Sequence, residues 1–553
     1  MHPEAIWLAC YLIATSWFVP PLGNGLFVVI ENFFAKLASR RALCVLLFFL
    51  GTIAVRLLLF PVLSYPHPYA HDEFGYLLQA DMFAHGHLAY PPHPMAAYLE
   101  TFYVNFQPTY STIYSPAQPA VLAVGQLLGH PWIGVLLSTA AMVSAVYWML
   151  LGWFAPRWAF LGATLVPVRI AIFSYWMNSY WGGSVAALGA ALVLGALPRL
   201  RQSQRSRDAW LLGLGVIILA NSRPLEGLIF CIPVAAILLR WLYRLQVQKS
   251  AFPIRNVIAP ISACLLANAA FTLYYNWRIT GNALTVPRAL YYQRYFSVSP
   301  FIWGKIGPPL QYANPQFDAF FNGFIRDIYD GSWADLKNIE TVRFSEFWQF
   351  FLGGLLAVCF LSLPWLLRDR RIRPVLWFFL VCVLGLIVAV WFEPHYAAPA
   401  FCVFWIIVIQ AFRHFRRWEW RGRPIGVSVT RQIVALTLLM IPICIRAKLT
   451  DPNGTSCWSY APPFPRDRVA AELNRMPGEQ LVIVRYPPGH DYRDQWVYNA
   501  ADIDNSKIVW AHEVPSQSID PLLAYYRNRK VWLIEPDNLP PVLTPYAPHS
   551  PSE

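Results

Sequence analysis

Eleven apolar runs, each close to the roughly 20 residues needed to cross a hydrocarbon core, leave this chain few folds other than a bundle of membrane-spanning helices. They lie at about 42–63, 131–154, 158–177, 182–198, 209–222, 225–243, 256–275, 346–367, 374–392, 396–412 and 429–447. Composition agrees. Of 553 residues, 57% are hydrophobic and 13% charged, and the mean hydropathy is +0.40, which excludes a disordered chain and a large soluble enzyme. The 24 Trp and 28 Tyr suit a protein with two wide membrane interfaces. A further apolar stretch, 5–30, is interrupted by Pro20, Pro21, Gly23 and Gly25, so spanning, re-entering and lying on the surface all stay open. Residues 1–4 supply no basic segment of the kind that opens a cleaved signal peptide.

The net charge of +13 raises the question of a nucleic-acid partner, but the basic residues sit in short clusters between apolar runs. That pattern orients a chain in a membrane, and no nucleic acid is expected. With Lys36, Arg40 and Arg41 placed in the cytoplasm, every later cluster also falls inside: Arg199–Arg207, Arg240–Arg255, Arg368–Arg373 and Arg413–Arg423. The opposite face receives the long loops 64–130 and 276–345, the turns near Asn178, Arg223 and Glu393, and everything after Lys448. Three units follow: 1–41, an apolar or interfacial segment; 42–447, the membrane domain; and 448–553, a tail on the extracytoplasmic side. The tail has β-rich runs at 481–485, 507–510 and 531–534 and a helical pattern at 520–527, which predicts a small α/β domain. Cysteines fall mostly inside apolar runs, with no CxxC motif, and read as small hydrophobes.

The chemistry concentrates in the first loop. His71-Asp72-Glu73 opens a predicted helix over 72–85, lying along the membrane surface with Phe74, Leu77, Leu78 and Met82 at helical spacing and Gly86 beyond its end. Asp72, Tyr76 and Gln79 share one face, whereas Glu73 is turned about 100° away, so a single carboxylate is expected to act. Carboxylates also favour the first turn of any helix for its dipole, which is the plain alternative for both.

A loop that opens Asp-Glu after a membrane exit, continues as a helix and ends in Tyr114-Ser-Pro-Ala-Gln118, in a chain with His395-Tyr396-Ala-Ala-Pro399 near the last spans, resembles the GT-C glycosyltransferases. The likeness is to the protein O-mannosyltransferase, aminoarabinose transferase and Rgt-type group; Ser115 and Ala117 depart from that group's usual turn. The resemblance implies a helical membrane protein of GT-C type with about 11–12 spans. It also implies transfer of a sugar from a polyprenyl-phosphate carrier to a lipid, glycan or protein acceptor on the extracytoplasmic face of a bacterial inner membrane, without a required cofactor. Asp72 then serves as general base, while Glu73 supports the loop or sugar hydroxyls.

A leaving phosphate needs positive charge on the face where this chain has least of it. Arg223 and Arg278 meet that need, with headgroup anchoring as the alternative for each. Tyr76, Asn178, His395 and Tyr396 complete the expected pocket, with a belt aromatic or a solvated turn histidine as the duller readings. Arg56 and Arg169, inside apolar runs, are placed outside the site. Five histidines in the first loop leave a divalent metal open, with Asp81 and His85, four apart on a helix, as its best pair. A transporter or a non-catalytic scaffold is the competing class.

Overall fold

The computed structural model describes residues 10–16, 24–328, 331–450, 464–538 and 540–547. Every predicted span coincides with a helix. Among the described residues, eight helices are long and apolar enough to cross a bilayer: Arg41–Leu58, Pro131–Leu150, Ser184–Ser203, Pro224–Val247, Ile254–Thr280, Trp333–Arg368, Ala398–Phe415 and Ile425–Thr450. The other three expected spans are shorter. They are Pro156–Val166, extended to Ala171 by a π turn, then Ser206–Ser222 and Arg373–Ile387. The helix that ends at Arg368 begins at Trp333, so the last part of the expected loop 276–345 is helical.

Within the 5–30 stretch the described parts are helical at 10–16 and over Asn24–Ser39; positions 1–9 and 17–23 lie outside the described residues. The second helix is tied down by Glu31, which accepts from Arg416 at 2.8 Å and from Arg431 at 2.9 Å and 3.1 Å. It therefore belongs to the end of the bundle that carries the arginine clusters. Those clusters gather on one face: Arg41 and Arg199–Arg207, and Arg368–Arg371 and Arg413–Arg417, surround Trp153 and Phe154.

The tail forms a sheet of four strands, β1 Gln480–Val484, β2 Ile508–His512, β3 Lys530–Ile534 and β4 Thr544–Pro545, in the order β2-β1-β3-β4. The first three strands are parallel and β4 is antiparallel. Strand periodicity sends Leu481 and Ile483 to one face and Val482 and Val484 to the other. Helix Pro465–Arg475 covers the second face through Val469 and Leu473. The first face packs on the first loop, against Leu78, Met82, Leu99 and Phe106.

That packing changes the place of the first-loop helix, His71–Ala84. Its apolar stripe was expected to lie on the membrane. Instead the helix is an interior element: Phe74 stacks on Tyr498 with ring centroids 3.8 Å apart, Leu78 and Met82 meet the sheet, and Tyr76 and Ala80 meet Leu122 and Trp132 of the membrane domain. Gly86, with φ 78°, follows the last turn as expected.

The polar residues of this loop fasten the tail. Asp81 accepts from Gln126 Nε2 at 2.7 Å and from Ala501 N at 2.9 Å. His67 meets Asp467, His71 meets the Tyr498 hydroxyl, and His93 meets Asp504. Asp81→Ala should cost about 1–2 kcal/mol at this junction by leaving both donors unpaired. Hydrogen exchange at 498–503 is expected to quicken in that variant, and unchanged exchange would contradict the docking role.

Candidate functional site

Asp72 lies in the first turn of His71–Ala84, and the Tyr114 hydroxyl donates to its Oδ1 at 2.7 Å. Among the described residues Oδ2 has no hydrogen-bond partner, and the side chain is only partly buried, so one oxygen is held and the other is open. Gly75 makes this arrangement possible. A Cβ there would lie 2.5 Å from Tyr114 Cε2, so only glycine lets the phenol lie across the helix and reach Asp72. Tyr76 packs on the other side of the same ring, centroids 4.2 Å apart.

Glu73 faces elsewhere, as the helical rotation predicts. Its Oε2 accepts from Tyr69 N and Ala70 N at 2.9 Å and 3.1 Å, and its Oε1 accepts from Tyr180 N at 2.9 Å. Burial raises its pKa while the three N–H donors oppose that shift. Of the roles expected for it, loop support is the one this geometry displays, with both oxygens accepting backbone N–H groups.

Two arginines share tyrosine neighbours with Asp72. Arg223, in the break between Ser206–Ser222 and Pro224–Val247, is buried with its guanidinium 4.1 Å from the Tyr396 ring centroid. Arg288, near the start of helix Pro287–Tyr295, is the residue that sequence reasoning missed. Both lie within electrostatic reach of Tyr76, Tyr396 and His395, and Asp72 is within reach of Tyr76, Tyr396 and Tyr292. The signal was present: Arg288 breaks the same charge bias as Arg278 and has Tyr292 one helical turn on. Arg278 and Arg288 are both exposed. Arg278 lies beside an exposed Trp277, its guanidinium 6.0 Å from that ring, as an interface anchor would be.

His395 is buried and stacks on Trp181, and its Nδ1 lies 3.0 Å from the Tyr175 hydroxyl. Burial, then the charges of Arg223 and Arg288, hold its pKa well below the usual range, so the ring is neutral at physiological pH. Tyr103, beside Asp72, has φ 62°, a left-handed conformation rare for a bulky residue, and its N–H donates to Tyr291 Oη at 2.9 Å.

Asn178, expected in the pocket, is bonded within its own turn. Its Nδ2 donates to the carbonyls of Ile172 and Ser174 while Oδ1 accepts from Arg56, so the amide is spent inside the turn. Arg56 in turn donates to Leu63 O and Ser64 O and stacks on Trp132, closing the end of its own helix. Asp81 and His85, the expected metal pair, stand 3.4 Å apart, with the Asp81 oxygens also accepting from Gln126 and Ala501 and His85 exposed. Among the described residues, His490, Asp494 and Asp537 are the group with metal-compatible spacing. It lies in the tail, where His490 already engages Asp537 and the Asp494 carbonyl.

Glu393, two residues before His395, faces the same charges. Burial, then Glu346 and Asp72, push its pKa up to about 7, against the pull of Arg223.

No protein-family model matches the chain, and no curated protein matches it. Among solved structures it is similar to ArnT from Cupriavidus metallidurans in the apo state, at 13% identity over 88% of this chain and 92% of that one, with TM-score 0.47. It is also similar to the same protein bound to undecaprenyl phosphate, at 14% identity, 88% and 92% coverage and TM-score 0.44. A third likeness is to the Archaeoglobus fulgidus oligosaccharyltransferase tethered with an acceptor peptide, at 11% identity, 88% and 69% coverage and TM-score 0.43. These are likenesses of outline, and the roles of residues rest on this chain's own geometry.

The Glu393 shift has a measurable sign. A carboxyl raised from 4.5 to about 7 by folding holds its proton more tightly in the fold. Its contribution to stability is complete below the lower value and is lost as pH rises through the upper one. Glu393→Gln should therefore flatten the fall in thermal midpoint between about pH 5 and about pH 8 relative to the unchanged protein; parallel curves would contradict the burial of this charge.

Proposed function

We propose that this chain is an integral membrane glycosyltransferase that moves a sugar from a polyprenyl-phosphate-linked donor to an acceptor on the Asp72 face. The observation that carries the reading is one carboxylate with an open oxygen and two guanidiniums that gather around the same tyrosines, Tyr76 and Tyr396. The acceptor hydroxyl or amine gives its proton to Asp72 Oδ2 as its lone pair attacks the anomeric carbon. The bond from that carbon to the phosphate oxygen breaks, and the phosphate leaves with the electron pair, neutralised by Arg223 and Arg288. Tyrosine rings offer flat apolar faces to the sugar.

A single displacement inverts the anomeric centre. Retention needs a second carboxyl about 5–5.5 Å away as nucleophile, and the neighbour Glu73 has both oxygens engaged. A transporter would use intramembrane charge along a polar path, whereas Arg56 is consumed by its own helix end and by Asn178. The positive-inside rule puts the Asp72 face outside the cytoplasm, in keeping with a bacterial inner membrane and a flipped lipid donor.

Asp72→Asn keeps the Tyr114 contact and removes the base. It should lower transfer by about 10²–10⁴-fold while polyprenyl-phosphate binding and thermal midpoint stay at their original values. Comparing envelope glycans by mass spectrometry in cells with the wild-type or the Asn variant identifies the product, and an unchanged glycan profile in the variant would reject the assignment.

A further inference from the structure

The face opposite Asp72 holds two adjoining cavities of about 460 and 540 Å³. Their distance from the proposed site follows from helix length: Ala398–Phe415 begins just after His395 and ends at the second cavity, about 27 Å away at 1.5 Å per residue.

The first cavity is lined by Arg41, Arg199, Arg205 and Arg207, with Asp208 as its one carboxylate. The second is lined by Arg368, Arg371, Arg413 and Arg417, with Asp369 as its one carboxylate and His414 beside it. Trp153 and Phe154 line both, so a single aromatic turn divides them.

Two of the arginines and the Asp369 carboxylate are already engaged, while Asp208 is buried with its Oδ1 unpaired. Arg199 donates to Trp148 O and Gly195 O and feels Asp208. Arg413 donates to Gln410, and Asp369 accepts from Gln410 and meets His414. Among the described residues, the guanidiniums of Arg41, Arg205, Arg207, Arg368, Arg371 and Arg417 have no hydrogen bond or ion pair. Three arginines without a bonded partner thus line each cavity, against one unpaired carboxylate oxygen in the first and none in the second, a net positive composition that suits a phosphate in each.

The surroundings choose between a soluble polyphosphate and a lipid. From Arg41 runs a stripe of exposed apolar residues, Leu43, Leu46, Leu47 and Leu50, along the helix it starts. Toward Arg368 runs a shorter one, Leu361 and Trp365, four apart and on one side of the helix. Acyl chains would lie along these stripes from headgroups held at the arginines.

We propose that the two cavities together bind one bilayer lipid bearing two phosphodiesters joined by a short linker, with a phosphate in each cavity and the linker crossing Trp153 and Phe154. The site is independent of the transfer reaction and lies at the other end of the bundle.

The test is a lipid titration followed by native mass spectrometry, on full-length protein delipidated in neutral detergent. The probes are tetraoleoyl diphosphatidylglycerol, dioleoyl phosphatidylglycerol, dioleoyl phosphatidylcholine and inorganic pyrophosphate. Diphosphatidylglycerol should bind at least about tenfold tighter than phosphatidylcholine and measurably tighter than phosphatidylglycerol. The triple variant Arg368→Gln/Arg371→Gln/Arg417→Gln should lose that preference, and Lys at the same three positions should keep most of it. Arg41→Gln/Arg205→Gln/Arg207→Gln should reduce diphosphatidylglycerol to the affinity of phosphatidylglycerol. Equal binding of phosphatidylglycerol and diphosphatidylglycerol, unchanged binding in both Gln variants, or pyrophosphate binding that the lipid fails to displace would each overturn the proposal.

Discussion

The buried Glu73 carboxylate is the fastening on which the Asp72 chamber depends. Three backbone N–H groups from two separate segments end on it: Tyr69 and Ala70 just before its helix, and Tyr180 from a turn more than a hundred residues later. Hydrogen bonds to an ionised acceptor are worth about 1.5–3 kcal/mol each, and a buried acceptor that lost its donors would cost more than it returned. The clamp fixes the rotation of His71–Ala84, and that rotation turns Asp72 toward Tyr114 instead of the loop. Two adjacent carboxylates thus serve different ends, one structural and one exposed to chemistry, because a helix separates neighbours by about 100°.

Charge is distributed with the same economy. On the Asp72 face cations are few, and the two that matter, Arg223 and Arg288, gather around tyrosines and one neutral histidine. On the other face arginines crowd in numbers that one carboxylate per cavity does not balance.

Much of this was legible in the sequence, for reasons of local physics. Spans follow from hydropathy over one helix length, the alternation at 481–484 follows from a two-residue period, and the separate duties of Asp72 and Glu73 follow from helical geometry. What escaped depends on partners distant in the chain. The apolar stripe of Phe74, Leu78 and Met82 faces a sheet some four hundred residues away, and no local pattern distinguishes that sheet from lipid. The same distance hid the work of His67, His71, His93 and Asp81 as docking groups for the tail. Arg278 and Arg288 are alike in sequence; only the packing of helix Pro287–Tyr295 turns the second toward Tyr76 and Tyr396. Asn178 looked available because its three hydrogen bonds close a turn that periodicity does not describe.

The central claim is that one carboxylate and two guanidiniums meet in one chamber around a lipid phosphate. A cryo-electron microscopy structure of the full chain with a long-chain polyprenyl phosphate tests it directly. The account predicts the phosphate within about 4 Å of both Arg223 and Arg288, its lipid chain leaving sideways into the bilayer and the open oxygen of Asp72 facing the space beyond. A phosphate bound away from both arginines, or one reaching them with Asp72 turned out of the chamber, would contradict it.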